Sequence, residues 1–285
     1  MARQERIRSA LSRRVLLAGG AASLLFPLRA FAQAPQPRED LAALIERGTL
    51  RAVMPGFSSP PFFDEDGGSG QGLDFDLARG IAAALQVPVT FERSPGTFDD
   101  AVRAVEQGEA DIAVCKLSRT LRRGRAIRYS QPYAQLHHGL VTNRIRFARM
   151  AGARPADDVI RSFSGDLGVI AHSSFAEYAR VNFPGARLHE FADWSSMIEA
   201  IRTETIDMAY RDDFEIKKLM VDDPSLTVVA RSIALTDKTD TLAIGIRPDA
   251  PHLATFVDLY LDLARGGAVM ATDEIVARYR AGRNA

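Results

Sequence analysis

The sequence is poor in cysteine: Cys115 stands alone among 285 residues. One thiol closes no internal disulfide, so a packed core must hold the fold even in an oxidising compartment. Cys115 itself, in the apolar run Asp111-Ile112-Ala113-Val114-Cys115, reads as a small hydrophobe on a buried strand. Histidine is also scarce, and the five present (His137, His138, His172, His189, His252) show no ligand spacing such as His-x-x-x-His. The adjacent His137 and His138 are expected at the surface. No glycine-rich phosphate loop and no serine elbow occurs, so neither a metal nor a cofactor is expected. The apolar stretch Val15 to Leu28 has 14 residues, with Gly19, Gly20 and Pro27 inside it, whereas a membrane-spanning helix needs about 20.

That stretch follows "SRRVLL" (Ser12 to Leu17), in which paired arginines precede apolar residues, and it leads to "AFAQA". The pattern is that of a cleavable twin-arginine-type export signal, with cleavage near Ala32 or Ala34. A soluble mature protein in a bacterial periplasm is therefore expected. The formal balance of 36 basic and 36 acidic residues conceals a bias, because the signal holds Arg3, Arg6, Arg8, Arg13, Arg14 and Arg29 but only Glu5. Setting these aside leaves 30 basic and 35 acidic residues. A mildly acidic product argues against nucleic acid or an anionic membrane as partner.

With 46% hydrophobic residues, the remainder can bury a real core. Short apolar runs ("TLRAVM", "VTFER", "DIAVC") alternate with amphipathic stretches ("DFDLARGIAAAL", "FDDAVRAVEQG"). In the first of these stretches Leu77, Ile81 and Leu85 share a helix face, and Asp74 or Asp76 can cap its first turn. Strand, helix, strand in succession means a mostly parallel sheet flanked by helices. The second half repeats the wording: "FDDAVRAVEQGEADIAVCK" (Phe98 to Lys116) aligns with "WSSMIEAIRTETIDMAYRD" (Trp194 to Asp212) at a constant offset of 96. In each, an aromatic opens a helix, an aspartate follows 13 residues later, and a four-residue strand comes next. Two α/β lobes of like construction are expected. Lys116 and Asp212 then take equivalent places past the carboxyl ends of matching strands, where open parallel sheets bind ligands.

The ordered set "RGTLRAVM", "PPF", "GQGLDFDLARGIAAAL" and "AVEQGEADIAVCKLSRTLRRGRAIRYSQPY" resembles the polar-amino-acid family of solute-binding proteins of ABC transporters, bacterial extracellular solute-binding protein family 3. The resemblance runs from about Leu41 to Arg280. It implies the type II periplasmic-binding-protein fold, two lobes joined by two hinge crossings. The lobes are placed at residues 35–138 and 139–241, with 242–285 returning to the first. The implied activity is binding, not catalysis: a monomer captures a small polar ligand and hands it to a membrane permease. By resemblance Arg123 grips a ligand carboxylate, which suits a planar guanidinium able to make two parallel bonds. Arg119, Arg122 and Arg125 are then solvated charges. Leu117 and Ser118 belong to the same binding loop, with Ser118 meeting the ligand headgroup. Phe98 flanks the ligand's side chain or ammonium. Ser173 and Ser174 match a threonine pair opening a helix whose N–H groups face the carboxylate, and Asp212 matches the acceptor of an α-ammonium.

Three positions depart from the family. Ser59 stands where an aromatic is usual, with Phe57 or Phe63 as substitutes. His172 replaces a glycine, and Lys116 adds a cation where small residues are common. With Arg211, these cations point to a ligand with a second negative group, an acidic amino acid or a dicarboxylate. Lys116 pairing with Asp212 or Asp213 is the alternative. Two other roles fit the same fold: an enzyme of cyclohexadienyl dehydratase type, or a receptor for a signalling partner.

Overall fold

The computed structural model describes residues 40–64 and 70–283. The signal-like segment, residues 1–34, lies outside them. In chain order the first part runs α1 (Asp40–Arg47), β1 (Leu50–Val53), α2 (Leu73–Ala84), β2 (Val89–Glu92), α3 (Phe98–Glu106), β3 (Ile112–Ala113) and β4 (Arg128–Tyr129). Then come β5 (Ala134–Asn143), α4 (Arg144–Ala151), α5 (Ala156–Arg161), β6 (Asp166–Ile170), α6 (Ser174–Asn182), β7 (Arg187–Phe191), α7 (Trp194–Arg202), β8 (Met208–Asp212), α8 (Asp213–Asp222) and α9 (Leu226–Val229). The chain closes with β9 (Ala230–Leu242), β10 (Gly245–Ile246), α10 (Pro251–Arg265), β11 (Met270–Ala271) and α11 (Thr272–Arg283).

These strands form two sheets. One has the order β2-β1-β3-β10-β4 and the other β11-β5-β8-β6-β7, with β9 paired to β5. β1 lies parallel to β2 and β3, and β6 lies parallel to β7 and β8, so each lobe has the expected parallel centre. The returning strands β10, β5 and β9 supply the antiparallel pairs. The result is the anticipated two-lobed α/β architecture.

The repeat survives at atomic level. α3 and α7 are each nine residues long and start 96 residues apart. Each is capped by the preceding residue, whose side chain accepts a hydrogen bond from the amide three positions on: Thr97 from Asp100 N, Asp193 from Ser196 N. Ala101, Val102, Ala104 and Val105 bury one face of α3, as Met197, Ile198, Ala200 and Ile201 do for α7. The strands after them differ from the expected four residues, with two in β3 and five in β8. In the second sheet Leu140, Met208 and Tyr210 join one hydrophobic cluster while their neighbours Val141 and Ala209 join another, because successive side chains leave opposite faces.

Three expectations need correction. Neither Asp74 nor Asp76 caps α2: Gly72 holds that place without a side-chain bond. Asp74 is instead fully buried and accepts the Lys116 amide at 2.6 Å, a long-range duty that local pattern cannot show. His138 is buried and His137 only partly exposed, since both lie on β5 between β8 and β9. Residues 242–285 do not all return to the first lobe. β10 joins the first sheet and α10 packs on α1 and α2, but β11 pairs with β5 and α11 lies on α8, tied by Tyr279–Asp222 and Lys217–Asp273 bonds.

The chain crosses between sheets just before β5 and just after β9. Ser130 N donates to Ile244 O, and Tyr133 N to Leu242 O, which fastens the two crossings side by side. The first division, after residue 138, falls inside β5 one residue past a register shift between His137 and His138. The second, after residue 241, falls one residue before the end of β9.

Candidate functional site

The carboxyl ends of β3, β6, β7 and β8 converge on a cavity of about 500 Å³ shared by the two lobes. From the first lobe come Phe57, Ser59, Phe98, Lys116, Ser118 and Arg123. The second lobe supplies His172, Ser173 and Ser174 after β6, Trp194 after β7, and Arg211, Asp212 and Glu215 around the end of β8, with Asp240 contributed by β9. Eight of the nine residues picked from sequence line this cavity. Leu117 is the exception: its side chain is fully buried in the first lobe's core, and its carbonyl accepts from Ala243 N.

Lys116 spans the lobes. Its ammonium lies 3.1 Å from Asp212 Oδ2 and 2.7 Å from Glu215 Oε1, and its side chain is only 6% exposed. The rings of Phe62 and Phe214 stand 5.4 and 5.2 Å from it, favourable for a cation over aromatic faces. The backbone here is left-handed, φ 52°, and the buried Asp74 carboxylate that accepts its amide helps fix that turn. Burial works against the ammonium, but Asp212 and Glu215 outweigh it and hold the lysine pKa above its ordinary value. Burial likewise works against a charged Glu215, and the Lys116 charge reverses the balance, keeping that carboxyl below the usual range. Asp212 also caps α8, accepting Glu215 N at 2.9 Å through its other oxygen. Thus Lys116 pairs with Asp212 as one alternative held, but with Glu215 in place of Asp213, which bonds Lys217 and Thr272.

Arg123 is 3% exposed. Its Nε donates to Asp99 at 2.9 Å and Nη1 to the Ser118 carbonyl at 3.2 Å, while Nη2 is buried without a hydrogen-bond partner among the described residues. Arg119, Arg122 and Arg125 are exposed, as expected. Ser118 and Ser174 come from different lobes: Ser174 Oγ donates to Ser118 Oγ at 2.9 Å, which donates to Asp240 Oδ2 at 2.8 Å. Tyr178 OH meets Asp240 Oδ1 at 3.2 Å and the Arg119 carbonyl at 3.1 Å. Burial, reinforced by the charge of Asp212, pushes Asp240 up to about 7. Ser173 caps α6, accepting Ala176 N at 3.2 Å, and His172 adopts φ 56°, the conformation that a glycine would take without strain.

The aromatic wall is also rebuilt. Phe63 is fully buried and Phe57 lines the cavity, its ring edge-on to Phe98 at 5.4 Å, so of the two substitutes for an aromatic at Ser59 it is Phe57 that reaches the cavity. Opposite stands Trp194, with the Arg211 guanidinium 5.3 Å over its ring and its Nε1 buried without a partner among the described residues. Sequence reasoning did not choose Trp194, though the repeat signalled it as the counterpart of Phe98. Glu215 was readable as the fourth residue of an Asp-x-x-Glu box opening α8. Asp240 had no local signal, because only the antiparallel return of β9 brings it to Ser118.

The model of the bacterial extracellular solute-binding proteins, family 3, matches residues 51–152. A membrane-bound lytic murein transglycosylase F 1 of Alkalilimnicola ehrlichii is 31% identical over 193 residues, 65% of this chain, and the chain spans only 37% of that relative's length. Among solved structures, the ancestral amino acid-binding protein AncCDT-1, a precursor of cyclohexadienyl dehydratase, superposes with a TM-score of 0.63 at 21% identity, covering 85% of this chain and 99% of its own. AbpA, an amino acid ABC transporter substrate-binding protein of Streptococcus pneumoniae bound to L-arginine, gives 0.63 at 21% identity over 84% and 98%. Holo ArgBP of T. maritima gives 0.61 at 17% identity over 79% and 93%. Residues 51–152 thus match the bacterial extracellular solute-binding proteins, family 3, and the two-lobed fold of the chain is the one these solved amino acid-binding proteins share.

Proposed function

We propose that the chain captures a small solute bearing a carboxylate, an amino acid or a related acid, in the interlobe cavity in the periplasm and delivers it to the permease of an ABC importer. The observation that carries this reading is Arg123: a buried guanidinium lines the cavity, held by Asp99 and the Ser118 carbonyl, with Nη2 left to donate. A buried donor without a partner costs about 1–3 kcal/mol, and a carboxylate oxygen would recover it. Ser173, Ser174 and the amino end of α6 line the same cavity from the other lobe, so one anion can be held from both sides. The solved amino acid-binding proteins agree with this reading in fold. Ligand would act by favouring the joined arrangement of the lobes over a separated one, and a membrane partner would read that arrangement.

Capture is preferred to catalysis because the cavity's ionisable groups are tied to one another: Lys116 to two carboxylates, and Asp240 to Ser118 and Tyr178. A thermal-shift and calorimetric screen of amino acids, mono- and dicarboxylates tests the reading. Wild-type protein is expected to bind at least one, and Arg123→Ala to lose it by about 100-fold or more, given a buried charge-assisted contact. Unchanged affinity in that variant, or formation of a phenyl product from prephenate or arogenate, would overturn it.

A further inference from the structure

The polar groups of the cavity are unevenly committed. The buried carboxylates that could receive an ammonium are already engaged. Asp212 gives Oδ1 to Glu215 N and Oδ2 to Lys116, and Glu215 gives Oε1 to Lys116. Asp240 gives one oxygen to Ser118 and the other to Tyr178. Beside the cavity, Asp99 gives its oxygens to Arg122 and Arg123. Asp193, at the exposed rim, caps α7. The donors, in contrast, are in surplus: Arg123 Nη2 and Trp194 Nε1 are buried without partners among the described residues. Arg211 reaches Asp212 and Glu215 only at 3.9 and 3.8 Å while lying over Trp194.

Given a carboxylate captured between the lobes as proposed above, we infer that Lys116 stands where a ligand's ammonium would sit, so that the site takes carboxylates lacking an α-amino group, a second acidic group meeting Arg211. Lys116 cannot easily give way. Its ammonium is enclosed by Phe62 and Phe214, and its backbone is anchored by Asp74. A second ammonium beside Asp212 would meet the Lys116 charge at close range and compete with it for carboxylates already engaged, while an uncharged carbon in that place meets no such penalty. The lysine's raised pKa keeps it an ammonium across the physiological range.

The test is calorimetry on the full mature chain with pairs that differ only in the amino group: succinate against aspartate, glutarate against glutamate, 4-methylpentanoate against leucine, 6-aminohexanoate against lysine. At least one deamino member is expected to bind, with its amino partner weaker by about 100-fold or more, the cost of juxtaposed like charges. Lys116→Met, which frees both carboxylates, is expected to narrow or reverse that preference. Should the single variant not fold, Lys116→Met with Glu215→Gln halves the unpaired charge and carries the same expectation. Amino acids binding wild-type protein as tightly as their deamino partners would overturn the assignment of Lys116 and leave carboxylate capture standing. If no member of either set binds, both fail together. If deamino ligands bind but neither lysine variant changes the preference, selectivity has another source and the role of Lys116 is refuted.

Discussion

At the scale of single residues, the buried acids set a pH dependence whose sign can be worked out. Asp74 and Asp240 are both raised from 3.8 to about 7, chiefly by burial. Between those values the folded chain binds protons that the unfolded chain has lost, so each group lowers stability as pH rises from about 4 to 7. His138 works in the opposite sense. Burial lowers it from 6.5 to about 4, so across that window the unfolded chain holds more protons and stability rises with pH. Asp240→Asn mimics the neutral acid and should keep the bonds to Ser118 and Tyr178 through its amide. Melting temperatures of variant and wild type are expected to differ little near pH 4 and to diverge in the variant's favour towards pH 8. Parallel curves across that range would show that Asp240 is ionised throughout. Lys116 is a separate matter, because removing one member of a buried ion cluster typically costs about 3–5 kcal/mol, more than the intact cluster contributes. Its presence is better explained by what it does to the cavity than by stability.

At the scale of elements, the two capped helices carry the repeat. Asp193 accepts Ser196 N and the Ser195 hydroxyl, and the next residue is the cavity's tryptophan. Asp193→Ala should destabilise the chain by about 1 kcal/mol in urea titration, the usual worth of such a cap. A loss indistinguishable from zero would mean that packing alone sets the start of α7. These helices were legible because the opening aromatic, the aspartate 13 residues on and the strand after it all lie within one short window. So were the equivalent places of Lys116 and Asp212, which meet at 3.1 Å across the cavity. What local pattern could not show were groups whose partners are distant in sequence. Asp74 was read as a helix cap because Lys116 is 42 residues away, and Asp240 was overlooked because Ser118 is 122 residues away. Leu117 was read as part of the binding loop because flanking residues are, yet its side chain lies fully buried in the first lobe's core.

At the scale of the whole molecule, two lobes meet through few but specific contacts: Lys116 with Asp212 and Glu215, Ser118 with Ser174, Arg122 with Glu177 at 3.4 Å, and Phe62 edge-on to Phe214 at 5.5 Å. Most of these surround the cavity, so a solute between the lobes adds its own bonds to the same set, and separation of the lobes breaks them together. The paired crossings lie beside β5 and β9, where the ladder shifts register. α11 lies on α8 and β11 on β5, while Met270, Ile275 and Val276 join the first lobe's hydrophobic cluster, so the carboxyl-terminal segment touches both lobes. Small-angle scattering reports the separation of the lobes directly. With a binding carboxylate from the screen, wild-type protein is expected to show a smaller radius of gyration than without it, and Arg123→Ala no change on the same addition. Equal compaction in both proteins, or none in wild type at saturating ligand, would contradict closure of the lobes around a carboxylate held by Arg123.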